Sequence, residues 1–312
     1  MEKKRAVRYG IAEWYGVPIH DMDTAERQAF GAVATADSKR GEQKVPANKP
    51  CRFAAELYPD AVCNKPGGVC TINPYWYDSE SSSVGFNSDP VTVCPRRFLE
   101  DASLLQWVAE VMLGSSEVDV IREVPFLRNA GANRAEEDSA RSGRIDWLLV
   151  NPSGAAPSMA ALEIQGLYFS GLRMTDDFEI YETSDSLILP RKNRRPDYRS
   201  GGAKRLAPQL SVKVPLLRNW NIKTAVLVDR YFYNQMASFP ETHGVTLDDR
   251  LAASDIVWFI ADYVAGKITP GEVKCASLDD SIKGLSATEV MSKATFMNHV
   301  DRSLTRTGIR LT

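Results

Sequence analysis

Two short apolar runs in this chain carry acidic and amide residues at positions where a core would normally admit none. Ile145-Asp-Trp-Leu-Leu-Val and Ala161-Leu-Glu-Ile-Gln-Gly both read as strands, rich in β-branched and aromatic residues and separated by a Pro- and Gly-containing turn. Side chains alternate along a strand, so Glu163 and Gln165 share one face while Leu162 and Ile164 take the other and enter the core. If the two runs pair, Asp146, Glu163 and Gln165 converge in one place. Like charges crowded into a half-buried site repel, and a hard divalent cation such as Mg²⁺ removes that cost. The competing reading makes Asp146 a turn-proximal polar residue and puts Glu163 and Gln165 on the solvent face of an antiparallel strand. The apolar flanks weigh against it, since they place the acids at the margin of a core.

The surrounding pattern sets the fold class. Leu99 to Leu113 is apolar at helical spacing and ends at Gly114, a helix-closing residue. Asp119 to Phe126 reads as a further strand. A polar stretch from Thr175 to Gly202 leads to a helix over 203–219, which Pro208 and Pro215 shorten or kink. Thr224-Ala-Val-Leu-Val-Asp is a strand of the fully buried kind. Helix, three strands, crossover helix and strand predict an α/β (α+β) mixed sheet with helices on its faces. Beyond it, a helix is expected near Ser254 to Ala265, and another opened by the capping box Ser286-Ala-Thr-Glu289. At 312 residues the chain suits one or two domains. The expected division is 1–98, with a short helix from Thr24 to Phe30 and loop-like sequence, and 99–312.

Four of the five cysteines, Cys51, Cys63, Cys70 and Cys94, fall in the loop-rich segment, with spacers of 11, 6 and 23 residues. No Cys-x-x-Cys knuckle is present, so this is not a zinc ribbon. Four thiolates favour Zn or Fe, and ligand type does not separate the two; buried inert thiols are the other reading. Cys275 stands apart and reads as a core thiol. No signal peptide or membrane-length apolar run is visible, which with the odd cysteine count predicts a soluble, cytoplasmic protein without a disulfide framework.

The Asp, spacer, Glu-x-Gln pattern between a preceding helix and a following crossover resembles the PD-(D/E)XK nuclease superfamily, most of whose members carry Lys where this chain has Gln165. Gly67-Gly-Val-Cys-Thr-Ile-Asn, Val91-Thr-Val-Cys-Pro-Arg-Arg, Ile145-Asp-Trp, Leu162-Glu-Ile-Gln and Phe169-Ser-Gly are similar, in content and order, to the NotI-type restriction endonucleases. The similarity spans roughly Cys51 to Leu172. It implies a PD-(D/E)XK restriction-endonuclease-like core and a homodimeric, Mg²⁺-dependent type II enzyme cutting a GC-rich palindrome in double-stranded DNA. Asp146, Glu163 and Gln165 would be catalytic, with Asp146 and Glu163 holding the Mg²⁺. Cys51, Cys63, Cys70 and Cys94 would bind a structural metal, Fe or Zn. Glu123 is the candidate for a further catalytic acid, in competition with Glu110, Glu136 and Glu137.

Charge summed over the chain gives no hint of a polyanion partner, with 38 Lys+Arg against 40 Asp+Glu. Locally it does. Residues 191–205 hold seven basic residues, Arg191, Lys192, Arg194, Arg195, Arg199, Lys204 and Arg205, against one acid, Asp197. Such a run can neutralise phosphates and read guanine edges, and the helix that follows offers first-turn amides to a phosphate. The basic start, Lys3, Lys4, Arg5 and Arg8, is a weaker candidate for a DNA-binding arm. His20, His243 and His299 are scattered singly, without a catalytic pairing. Two rival functions fit the same features: a repair or modification-dependent nuclease, and a non-catalytic metal-thiolate DNA-binding regulator.

Overall fold

The computed structural model describes residues 8–39, 49–78, 83–86, 89–128, 141–153, 157–171, 174–287 and 291–307. Lys3, Lys4 and Arg5, the acids Glu136 and Glu137, and Thr288 and Glu289 of the expected capping box lie outside them.

The N-terminal part builds a small antiparallel sheet. Strand β1 (Arg8–Trp14) pairs with β2 (Val17–Pro18) and with β3 (Val69–Asp78), and β3 also pairs with β4 (Ser83–Gly85) and β5 (Val91–Thr92). Helix α1 spans Thr24–Lys39, more than a turn longer than the sequence suggests. Helix α2 (Ser103–Leu113) buries Leu104, Leu105, Val108 and Ala109 and stops at Gly114, whose φ of 65° lets its N–H reach back to the Glu110 carbonyl.

Six strands form the central sheet. β6 (Asp119–Arg128), β7 (Arg141–Asn151) and β8 (Ser158–Ile164) run as an antiparallel meander. A short ribbon, β9 (Tyr168–Ser170) with β10 (Arg195–Asp197), brackets helix α3 (Thr175–Tyr181). The crossover follows as α4 (Tyr198–Gly201), a wide turn over Gly202–Leu206 and α5 (Ala207–Asn219), with Pro208 in the first turn and Pro215 inside. It delivers β11 (Lys223–Asp229) parallel to β8. After α6 (Arg230–Tyr233) and α7 (Leu247–Ala253), β12 (Ile256–Val264) joins β11 in parallel and β13 (Lys267–Ala276) closes the edge antiparallel, giving the order β13-β12-β11-β8-β7-β6. Helices α8 (Leu278–Ser286) and α9 (Lys293–Thr307) end the described chain.

Two sequence expectations are overturned. The helix expected near Ser254 to Ala265 is β12, buried from Ile256 to Ala261. Both faces of that strand are covered, so its apolar run is continuous and carries no period to tell strand from helix. Ser286 ends α8 and does not open a helix. The mixed sheet flanked by helices is as expected.

The sheet has two working faces. Val226, Val228, Trp258 and Ile260 pack with Leu210 and Val214 of α5, in one apolar cluster with Ile11 and Trp14 of β1. Ala225, Leu227, Val257 and Phe259 pack on the other face with α2 and with Cys51, Cys70 and Cys94. Each fully buried Leu, Val or Phe contributes about 1.5–3 kcal/mol. The N-terminal sheet and the central sheet thus share both clusters.

Candidate active site

Register puts the acids in a row. Trp147 pairs with Leu162, so one step further along the ladder Asp146 lies opposite Glu163. Arg122 pairs with Trp147 and Val124 with Ile145, which sets Glu123 opposite Asp146 on the other side. Glu163 lies beside Val226 on the α5 face. Three neighbouring strands therefore each bring one carboxylate to the same level of the sheet. Glu123 has a left-handed φ of 54°, uncommon for a residue with a Cβ, and its carboxylate meets Arg144 at 3.3 Å in an exposed pair. Glu110, by contrast, is exposed on α2, which packs on the opposite face.

Glu163 is buried and Asp146 half-exposed. The ammonium of Lys213, on α5, lies 2.6 Å from Glu163 Oε1 and 3.7 Å from Asp146 Oδ1. The other Glu163 oxygen, Oε2, is buried with no hydrogen-bonding partner among the described residues. Burial pushes the Glu163 carboxyl up to about 7, helped by the Asp146 charge and opposed by Lys213. The Asp146 carboxyl is raised as well, by burial first, with Lys213 pulling the other way. One Gln165 amide N–H donates to the Gly166 carbonyl at 2.7 Å. Asp146 opens onto a groove of about 400 Å³ between α5 and strands β6 and β7, lined also by Phe126, Leu127, Arg144, Gln209 and Lys213; Glu163 and Glu123 are not among its lining residues.

Sequence reasoning missed Lys213. The visible signal was its place on α5: with Leu210, Val214 and Leu217 it occupies the buried stripe of an amphipathic helix, where a lysine needs a partner.

The basic run divides in two. Arg194 is buried, and its guanidinium is ion-paired with Asp177. Its expected role on a DNA surface is therefore corrected: it holds the fold. Arg191, Arg195, Arg199, Lys204 and Arg205 are exposed, and Lys192 is half-exposed beside Asp176 at 3.5 Å. Arg205 stacks over the Tyr168 ring at 4.6 Å. The run approaches Gln165 through Gly201, where a Cβ would lie 3.5 Å from Gln165 Nε2. The first-turn amides expected to await a phosphate are instead capped by Asp197, which accepts from the Ser200 N–H. His20, His243 and His299 are not among the groove residues.

The four cysteines come together from loops and one strand. Cys51 N–H donates to the Ala61 carbonyl and Cys63 N–H to the Lys49 carbonyl, clamping the first pair of segments, while Cys94 N–H donates to the Cys70 carbonyl. All four line one enclosed space of about 10 Å³, room for roughly one small sphere. Burial raises the thiols of Cys63, Cys70 and Cys94. Among the described residues, however, no three His, Cys, Asp or Glu side chains are grouped so as to hold a metal ion. The four thiols surround a common space without adopting a ligating arrangement. Cys275 is buried in the core. Among the described residues no helix is long and apolar enough to cross a membrane.

No curated protein and no solved structure matches the chain. The family model described as restriction endonuclease NotI matches residues 38–272, a span that takes in the cysteine segment, the row of carboxylates, the basic run and the crossover helix. The match covers most of the 312 residues, and the chain belongs to the NotI restriction endonuclease family, a family of site-specific nucleases.

Proposed function

We propose that the chain is a Mg²⁺-dependent type II restriction endonuclease on a PD-(D/E)XK core, acting as a homodimer that hydrolyses one phosphodiester in each strand of a GC-rich palindromic site. The observation that carries this reading is Glu163 Oε2, a buried acceptor without a partner among the described residues, on the strand paired with that of Asp146, which lines the groove. A buried carboxylate oxygen left unpartnered is costly, and a hard cation held by one or two carboxylates removes the cost. Asp146 and Glu163 would hold that ion, with Glu123 as the further acid at the same level. Bound there, Mg²⁺ would polarise a phosphate oxygen and make water a better nucleophile.

The chain's own groups do the rest. With one N–H committed to Gly166, Gln165 orients the attacking water through its amide oxygen. The water oxygen gives up a proton to solvent and forms a bond to phosphorus as the bond from phosphorus to the leaving sugar oxygen breaks, and the sugar oxygen takes up a proton from solvent. Arg191, Lys192, Arg195, Arg199, Lys204 and Arg205 supply phosphate contacts, and arginine can read guanine bidentately. Two-fold symmetry lets two identical grooves meet opposite strands of a palindrome.

Cys51, Cys63, Cys70 and Cys94 would hold a structural Fe or Zn: the donors are soft thiols around one small space, and an ion would have to draw them into the ligating arrangement that they do not adopt without it. This centre braces region 1–98 against 99–312 and takes no part in the chemistry.

Digestion of a sequenced plasmid with Mg²⁺, followed by mapping of the ends, tests the reading. Discrete fragments ending at one palindrome are expected, and their loss in Asp146→Ala. An uncut plasmid, random nicking, or full cutting by Asp146→Ala would overturn it.

A further inference from the structure

The cation that this site already contains is a side chain. Lys213 reaches across from the crossover helix and puts its ammonium 2.6 Å from Glu163 Oε1 and 3.7 Å from Asp146 Oδ1, the two acids that adjacent strands bring together. It does so from a core position of α5, with its side chain almost fully buried. A lysine so placed loses side-chain freedom and hydration, and only a buried negative partner offsets that loss. Glu163 is that partner, yet one of its oxygens remains without a hydrogen bond. The ammonium therefore meets part of what the acids require, and a divalent ion would meet more.

We propose that Lys213 supplies the fixed positive charge of the site: without metal its ammonium stands in for the divalent cation between Asp146 and Glu163, and with metal bound it is left at the groove wall to receive an anionic phosphate oxygen. Three features support this. An ammonium has three donors; Lys213 gives one to Glu163 Oε1 and stands 3.7 Å from Asp146 Oδ1, beyond hydrogen-bond distance, which leaves donor capacity for the groove that Lys213 itself lines. Gln165, two residues beyond Glu163 on β8's continuation, is an amide and brings no charge. Among the residues lining the groove, Arg144 is the other cation, and it is exposed and engaged with Glu123.

The consequence is competition. Lys213 lends the metal-free fold a counter-charge, and metal entry has to displace it, so removing the ammonium should tighten metal binding while weakening catalysis. A lysine that only packs α5 against the sheet would do neither. This rests on the reading of Asp146 and Glu163 as the cation site, and Glu163→Gln separates the two claims.

The experiment is titration of the full-length protein with Mn²⁺ alone, free Mn²⁺ being followed by electron paramagnetic resonance, together with cleavage at saturating Mg²⁺. Lys213→Met is expected to bind Mn²⁺ about tenfold tighter than the parent, because a unit charge within 4 Å has been removed. Its cleavage rate at saturating Mg²⁺ is expected to fall about 10²–10³-fold, as on loss of a group that stabilises developing charge. Lys213→Arg keeps the charge and should keep the parent's Mn²⁺ affinity. Equal or weaker Mn²⁺ binding by Lys213→Met, or cleavage close to the parent's, would overturn the proposal. If Lys213→Met does not fold without metal, refolding in Mn²⁺ supports the stand-in role, and failure of both Lys213→Met and Lys213→Gln to fold in Mn²⁺ overturns it. A Glu163→Gln protein that binds Mn²⁺ as the parent does would instead sink the underlying cation site.

Discussion

The carboxylate row and the cysteine cluster both gather groups that repel or resist burial when metal-free, but they are built in opposite ways. Asp146 and Glu163 sit on paired strands of the central sheet, Asp146 opens onto a groove of about 400 Å³, and both are served by a side-chain cation. Cys51, Cys63 and Cys94 come from loops and Cys70 from β3, around a space of about 10 Å³ whose lining includes Arg52 and Arg96. An open position is what a metal needs to exchange ligands with substrate, and a closed one is what a structural metal needs. Rigid strands fix the geometry of the first site whether or not it is filled. Loops leave the geometry of the second to be completed by what they bind.

Metal removal should separate the two most sharply. Exchange into Mg²⁺-free buffer without a chelator is expected to abolish cleavage and leave the melting temperature nearly unchanged, and cleavage should return when Mg²⁺ is restored. If the four cysteines hold a metal as proposed, removing it, or substituting Cys70→Ser, should instead lower the melting temperature by many degrees, because binding free energy at a loop-built site is folding free energy. Calorimetry with and without each treatment checks this. Equal thermal effects from the two treatments would show that the cysteine centre is no more structural than the groove.

Some of this division was legible in the sequence, and the reasons for the rest are physical. Ile145-Asp-Trp and Leu162-Glu-Ile-Gln could be read because an acid inside an apolar run is conspicuous and strand alternation assigns its face. Helix α2 could be read because its period and its closing glycine agree. The ten-residue β3 and β13 escaped notice: Tyr75, Trp76 and Tyr77 in one and Pro270-Gly271 in the other interrupt alternation, and pairing with distant strands stabilises them. The buried position of Lys213 on α5 called for a partner, but which one depends on strands far away in sequence, and Glu123 could be named from the sequence but not chosen over Glu110, Glu136 and Glu137 until register set it opposite Asp146. Arg194 shows the opposite failure. It stands in a basic run and looks like its neighbours, but the chain turns it inward to Asp177.

That inward turn gives the next expected effect. Arg194→Met leaves Asp177 buried without its guanidinium, and breaking a buried pair in this way costs about 3–5 kcal/mol. The urea midpoint should fall accordingly, while the protein that remains folded cuts DNA at the parent's rate. A reduced rate with an unchanged midpoint would return Arg194 to the DNA surface.

The smallest effect concerns the exposed half of the same run, and it distinguishes phosphate contact from base reading. Arg199 lies on the surface of α4, one turn before Gly201 approaches Gln165. If its guanidinium neutralises one phosphate, Arg199→Ala removes one released counterion. The slope of log affinity against log salt should then become shallower by about 0.9, with specific and non-specific duplexes weakened alike. Stability should stay within about 0.5 kcal/mol of the parent, since an exposed side chain has been shortened. Fluorescence anisotropy on a cognate and a scrambled duplex, in Ca²⁺ to hold off cleavage and across a salt series, measures all of it. A loss confined to the cognate duplex with the slope unchanged would mean that Arg199 reads a base. The run would then carry recognition directly, and the open half of the molecule would owe its specificity to the segment that connects the groove to α5.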